Sequence, residues 1–347
     1  MGEAQRLPDP AVADPMAAPP LRWGVLGPGG IANKLADAVQ RLTAGSVVAV
    51  ASRDQGRAEA FAGRHGIPRA YAGYERLAAD PEVQAVYIGT PHSEHAANAL
   101  AMVRAGKHVL VEKPLVRNGA EADKLFARAR ETGVTVIEAM WTRFLPHLAV
   151  VREVIASGRI GEVVTVLADH GQRFPFQPEH RLYAPELAGG ALLDLGVYPV
   201  ALAVGILGAP ESVCAAGQLA ETGVDGAAGL VLGYPPAASG SPRQAVLHTT
   251  LWARTPTTAS ITGTAGRIEL SGPFYQPGQV RVATEDGVEL TWDGLVDNGF
   301  QYEAAELARC VAAGLQESLL LPWSDSRACL AVLDEARRQL GVRYPGE

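Results

Sequence analysis

The sequence predicts an α/β chain in two parts. A doubly wound parallel sheet comes first, followed by an α+β domain with a large, mostly antiparallel open sheet. Three observations lead there. Short β-branched and apolar runs alternate with amphipathic helical stretches from Leu21 to about Met140, the spacing of parallel crossovers. A glycine-rich turn, Gly27-Pro28-Gly29-Gly30-Ile31-Ala32, joins the first of these runs to the first helix. Beyond Met140 the alternation stops, and strand-like runs follow one another without enough helices for parallel connections.

The first strand is Leu21 to Leu26, and its helix runs to about Leu42. Val47 to Ala51 is the second strand, Ile67 to Tyr71 the third and Ala85 to Gly89 the fourth, with a helix to about Ala105. Val109 to Glu112 is the fifth strand, Asn118 to Glu131 a helix, and Val134 to Ala139 the sixth strand. After a helix over Leu145 to Ser157, strands are expected at Val164–Asp169, Val213–Leu219, Gly229–Tyr234, Ala245–Trp252, Thr257–Thr262, Arg267–Leu270, Val280–Ala283 and Val288–Trp292. A helix within Gly189 to Leu207, and two more at Phe300–Ala313 and Ser324–Leu340, complete the set. Residues 1–20, rich in proline and alanine without a basic start, read as a disordered extension rather than a signal peptide. The partition is therefore 1–20, 21–142 and 143–347.

Bulk properties narrow the function. A chain of 347 residues, 48% of them hydrophobic, can bury two cores. A net charge of −7 gives no electrostatic reason to expect nucleic acid or an anionic membrane. No apolar run is expected to approach the roughly 20 residues of a membrane span. Cys214, Cys310 and Cys329 are far apart and match no zinc or disulfide framework. A reducing cytoplasm and no metal are the expectation.

The glycine turn matches G-x-G-x-x-G/A, with Gly27, Gly29 and Ala32 in the three places. Gly27 suits a tight turn and Gly29 a close approach to a pyrophosphate. Ala32 suits close helix packing, and Gly30 and Ile31 open a helix whose free N–H groups favour phosphate. A plain structural turn is the alternative. At the end of the second strand, where NAD sites usually place an acid, stand Ser52 and Arg53. A hydroxyl and a guanidinium suit a 2′-phosphate, so NADP(H) is favoured over NAD(H). Asp54 comes late and reads as a helix cap.

Thr90, Pro91, His92 and His95 follow the fourth strand and share the sheet end of Glu112-Lys113-Pro114. Ligands bind beyond that end in open α/β sheets. They are candidates to line the cofactor, although a loop histidine is commonly a scaffold residue. Lys113 is one of only four lysines, where arginine is the habitual cation. A compact, tunable amine fits a catalytic role, and a surface charge is the bland alternative. Asp194 and Tyr198 lie four apart in an apolar helical stretch, so they share a face and need partners if buried.

With these residues in hand, the chain resembles the Gfo/Idh/MocA oxidoreductase family over essentially residues 21 to 347. GPGGIA, TPHSEH, VEKP and DLGVY carry the resemblance. EAMWTRFLP (Glu138 to Pro146), LLDLGVYP (Leu192 to Pro199) and the ending from Tyr302-Glu303 to Pro345 are similar to its dimeric dihydrodiol dehydrogenase / D-xylose–NADP dehydrogenase branch. Where many members have histidine four places after the aspartate, this chain has Tyr198. The resemblance implies a Rossmann domain and a sheet domain that also makes a homodimer or dimer of dimers. It implies catalysis by Lys113 and Tyr198 beside Asp194, with Glu112 holding the nicotinamide ribose. It implies Trp141, Arg173 and Phe300 in the substrate pocket, and a cis bond before Pro114. The substrate would be a sugar or vicinal diol oxidised at a secondary alcohol. The alternatives are a redox-neutral enzyme, a ketoreductase on a nucleotide-linked sugar or natural-product intermediate, and a binding-only sensor.

Overall fold

The structure, a computed structural model, describes residues 6–347. Its first sheet is built from β1 (Arg22–Leu26), β2 (Ser46–Ser52), β3 (Arg69–Ala72), β4 (Ala85–Ile88), β5 (His108–Glu112) and β6 (Val136–Ala139). Between them run α1 (Gly30–Leu42), α2 (Gln55–His65), α3 (Tyr74–Ala79), α4 (His95–Arg104) and α5 (Gly119–Thr132). The strand order is β3-β2-β1-β4-β5-β6 and every pairing is parallel. Helices on both faces explain why β4 is buried at all four positions and reads as a continuous apolar run. The order reverses between β1 and β4, the switch point where such sheets bind ligands.

The second sheet has eight strands: β7 (Val163–Gly171), β8 (Ser212–Leu219), β9 (Asp225–Tyr234), β10 (Arg243–Thr250), β11 (Ala259–Gly263), β12 (Gly266–Leu270), β13 (Gln279–Thr284) and β14 (Glu289–Asp293). The order is β14-β13-β12-β11-β7-β10-β9-β8, antiparallel except where β7 meets β10. The remaining helices are α6 (Pro146–Ala156), α7 (Val197–Leu207), α8 (Gln301–Ala312) and α9 (Trp323–Leu340). Strand alternation buries one face: Ala245, Leu247 and Thr249 of β10 point inward, while Val246 is 41% exposed. Val246 lies abreast of Leu167 on β7 and Val231 on β9, each 45% exposed, so an apolar row crosses the open face.

Four expectations change. The chain forms two compact units, but not as linear blocks. One takes Ala13–Trp141 and Asn298–Arg327, and the other takes the described residues up to Val12, Thr142–Asp297 and Ala328–Glu347. Residues 298–327 return to the parallel-sheet unit because α8 packs on α1 and β5. The amino-terminal extension from residue 6 onward is anchored at two buried side chains, Leu7 and Ala18. Its backbone finds outside partners: Ala11 N donates to Glu153 (2.8 Å), and Arg309 donates to the carbonyls of Ala13 and Asp14. The part of that expectation on residues 1–5 lies outside the described residues. Pro185–Leu207 is, against expectation, apolar and long enough to span a membrane by length and composition, with mean hydropathy 1.9. That window is 89% buried in protein, as befits a core segment. Finally, the first part of that helix, Leu192–Gly196, is wound as a π-helix rather than α.

Candidate active site

In the parallel-sheet unit the site begins at the turn after β1. Gly27 has φ of 87°, and a Cβ there would stand 2.9 Å from Gly89 O, so conformation and space both demand glycine. Gly29 and Gly30 have ordinary room for a side chain. No side chain caps α1, which leaves the N–H groups of Gly30, Ile31 and Ala32 open to an anion. Ala32 is buried against the sheet and Ile31 is exposed. Ser52 closes β2, buried, with its hydroxyl accepting from Asp54 N at 3.2 Å. Arg53 is exposed. Asp54 caps α2 by accepting from Arg57 N at 2.7 Å, so its carboxylate is already committed.

The turns after β4 and β5 are tied together by His95. Its Nδ1 lies 2.9 Å from Pro114 O and its Nε2 2.9 Å from Thr90 O, at 0% exposure. Burial depresses its basicity, offset in part by these carbonyls. With both nitrogens against backbone carbonyls, His95 braces the two loops expected to line the cofactor. Thr90 Oγ1 accepts from Asn98 at 3.2 Å, Pro91 precedes the helical turn His92–Glu94, and buried His92 meets His95 edge-on at 5.7 Å.

Glu112 ends β5 and accepts from the Tyr87 hydroxyl at 2.7 Å. Lys113 follows, half-buried, and the Lys113–Pro114 bond is cis. Glu138, at the end of β6, holds this turn by accepting from Leu115 N (3.0 Å) and from Ser326 Oγ (2.6 Å). Glu303 of α8 is fully buried, and among the described residues neither of its carboxyl oxygens finds a hydrogen-bond partner. Burial, and then the charge of Glu112, hold its carboxyl well above the usual range. Trp141 and Phe300 stack at 4.6 Å, so two residues expected in a substrate pocket meet here.

In the mixed-sheet unit, Asp194 is buried on the π-turn and Arg181 grips it with two nitrogens, at 3.0 and 3.4 Å. Tyr198 is the one position of 191–200 that is not buried. Its ring lies 4.5 Å from that of Tyr275 and 5.4 Å from that of His170. His170 Nδ1 contacts Leu195 O at 3.2 Å, which ties β7 to the π-turn. Gln172 reaches both His170 Nε2 (3.0 Å) and the Tyr275 hydroxyl (3.4 Å). Burial, and further the Asp194 charge, push the Tyr275 phenol up. Exposed Arg173 lines a hollow of about 380 Å³ with Gln172, Tyr275 and Arg254. Sequence reasoning missed His170, Arg181 and Tyr275; only the inward strand register of His170 offered a signal. Among the described residues no group of three or more His, Cys, Asp or Glu could hold a metal.

Comparison with known proteins sorts this geometry. Residues 21–140 match the model of an oxidoreductase family with an NAD-binding Rossmann fold, and residues 148–269 match the GFO/IDH/MocA C-terminal domain. The chain is similar to trans-1,2-dihydrobenzene-1,2-diol dehydrogenase of Xenopus tropicalis, 38% identical over 337 residues, spanning 93% of this chain and 99% of the relative. The Homo sapiens protein of the same name is 37% identical over 335 residues, spanning 94% and 98%. A 3-ketoreductase from Actinomadura kijaniata, solved with NADP and TDP-benzene, superposes with a TM-score of 0.78 at 28% identity, covering 92% of this chain and 98% of that one.

Proposed function

This chain belongs to the Gfo/Idh/MocA oxidoreductase family, and on that premise we propose that it is an NADP(H)-dependent dehydrogenase of a secondary alcohol in a sugar or vicinal diol. Family membership makes it an oxidoreductase and sets aside the binding-only sensor. The observation that carries the finer reading is Tyr198, the half-buried phenol in an otherwise buried helical run, stacked on Tyr275 beside an arginine-held carboxylate. The relatives named as diol dehydrogenases support the substrate class.

The residues fit the cofactor. The open N–H groups of α1 and the turn at Gly27 suit a pyrophosphate, Ser52 and Arg53 a 2′-phosphate, and Glu112 a ribose hydroxyl. When bound, the nicotinamide accepts or supplies the hydride. In this reading Tyr198 takes the proton from the substrate hydroxyl, or returns it to the carbonyl. A phenol's reference pKa near 10 is too high for a base at neutral pH. The family resemblance assigns a second role, steadying the developing alkoxide, to the Lys113 ammonium. Asp194, fixed by Arg181, orients the substrate. Trp141 and Phe300 supply an apolar wall.

Lys113→Ala should cut turnover by orders of magnitude while NADPH still binds, read by nicotinamide absorbance and fluorescence. Near-normal turnover would end the assignment. Tyr198→Phe tests the proton role, and an unchanged pH–rate profile counts against it.

One observation favours a second reading, a ketoreductase on a nucleotide-linked sugar. Arg173 and Arg254 line the hollow beside Tyr275, and neither pairs with a carboxylate among the described residues. Two uncompensated guanidiniums suit a diphosphate. Turnover of nucleotide-linked sugars in preference to neutral aldoses and diols would select this reading. Net turnover of the free nicotinamide pool, NADPH formed by the dehydrogenase or consumed by the ketoreductase, separates both from a redox-neutral cycle.

The apolar row Leu167–Val246–Val231 is the surface for a homodimer, each side chain contributing about 1–2 kcal/mol if covered. Sedimentation of Val246→Lys, monomeric where the parent chain is dimeric, tests it. A reducing cytoplasm remains the compartment we propose.

A further inference from the structure

The amino end of the segment carrying Asp194 and Tyr198 has no side-chain cap of its own. It is held from outside. Asp225, the first residue of β9, is 0% exposed, and its Oδ2 accepts from Leu192 N at 2.6 Å. Among the described residues its Oδ1 finds no hydrogen-bond partner. The preceding loop is shaped for this carboxylate. Gly190 has φ of 120°, and a Cβ there would stand 2.3 Å from Asp225 Oδ1. The same loop is held on its carbonyl side, where the buried Tyr344 hydroxyl donates to Gly189 O at 2.6 Å. The Arg337 guanidinium lies 4.7 Å from the Tyr344 ring and pairs with Asp334 and Glu347, each at 2.8 Å.

We propose that Asp225 is a positioning residue whose carboxylate fixes the amino end of the π-turn and helix presenting Asp194 and Tyr198, and whose protonation loosens that end. The proposal rests on the reading that Tyr198 handles the proton, and deepens it by naming what regulates that group's placement. The groups facing Asp225 are few. Arg337 of α9 is the cation, Tyr344 of the tail is the neighbouring titratable group, and Asp334 and Glu347 stand beyond Arg337. The 189–192 loop contributes no charge. Burial pushes the Asp225 carboxyl up to about 7, against the pull of the Leu192 N–H, of its own N–H, of Arg337 and of the Ala191 N–H. Above that pH the charged oxygen makes a charge-assisted bond to Leu192 N. Below it the bond weakens to that of a neutral carboxyl.

The test uses the full chain and needs no turnover. Amide hydrogen exchange of 189–200, corrected for intrinsic rates, is followed by mass spectrometry from pH 8 to pH 6 in the parent chain, Asp225→Asn and Tyr344→Phe. Asparagine keeps an oxygen acceptor and removes the titration. The parent should lose protection several-fold across this range with a midpoint near the Asp225 value, and kcat should fall with it more than KM rises. Asp225→Asn should be flat in exchange and lose that acid limb. Tyr344→Phe should loosen the segment at every pH and keep the trend. A parent with no pH trend, or an Asp225→Asn variant with the parent's trend, overturns the proposal. Should Asp225→Asn not fold, the parent trend and Tyr344→Phe decide alone. A normal Tyr198→Phe enzyme would instead sink the reading beneath it while the exchange result stood.

Discussion

Arg53→Ala should separate the two nicotinamide cofactors. Arg53 stands just past β2, exposed, and no carboxylate among the described residues pairs with it. The adjacent carboxylate, Asp54, caps α2 instead of waiting for a ribose hydroxyl. A guanidinium on a 2′-phosphate makes charge-assisted hydrogen bonds, each about 1.5–3 kcal/mol. Because Arg53 is exposed, solvent and salt screen the contact, and the lower end, about 1.5 kcal/mol, applies. At about 1.4 kcal/mol per decade, NADPH affinity should fall roughly tenfold in Arg53→Ala, while NADH affinity stays where it was. Titration of nicotinamide fluorescence at low and moderate salt gives both Kd values without any substrate. The NADPH deficit should shrink as salt rises, since screening has by then weakened the parent contact. Equal losses for the two cofactors would mean that Arg53 supports the loop and does not read the phosphate. An unchanged NADPH Kd would remove it from the site altogether.

Two further outcomes follow from buried polar groups. Glu138→Ala strands the Leu115 N–H and the Ser326 hydroxyl, at about 1–3 kcal/mol each, so urea unfolding should show a loss near 3 kcal/mol, partly restored in Glu138→Gln. A loss under about 0.5 kcal/mol would show that the turn carrying Lys113 does not depend on this brace. His147, 1% exposed, shares a hydrogen bond with Phe274 O at 3.0 Å, and burial lowers its pKa from 6.5 to about 4. The unfolded chain therefore takes the proton first; stability is full above pH 6.5 and falls as the pH drops toward 4. That amounts to about 2 kcal/mol at pH 5, measurable as a pH-dependent urea midpoint that flattens in His147→Gln. The same slope in the variant would assign the acid loss to other groups.

What the sequence made legible was what neighbours along the chain impose on each other. Alternation of short apolar runs with amphipathic helices leaves one arrangement, the parallel sheet, and the glycine turn at Gly27 is demanded by a positive φ. Lys113 could be put at a strand end because proline stops the strand. The Asp54 cap was readable because its partner, Arg57 N, is three residues on. The π-winding of Leu192–Gly196 left no such mark, since its residues suit an α-helix equally well. Packing of the proline-rich start was hidden as well, because its anchors Glu153 and Arg309 are far away in the chain.

The residues that went unseen share a physical origin. A buried carboxylate or phenol must find a partner or lose its charge, but topology chooses the partner and the chain carries no local trace of it. Glu112 was readable at the end of β5, whereas Tyr87, which donates to it, and Glu303, whose carboxyl it disfavours from ionising, were not. Asp194 stood out as a polar residue in an apolar run, yet Arg181, Tyr275 and the supporting Asp225 did not. Each visible site residue thus came with a hidden one that sets its charge or its aim. Those hidden partners lie on β4, β9, the segment before the π-turn, the loop after β12 and a helix from the last fifth of the chain, so only the folding of each unit brings them to their places.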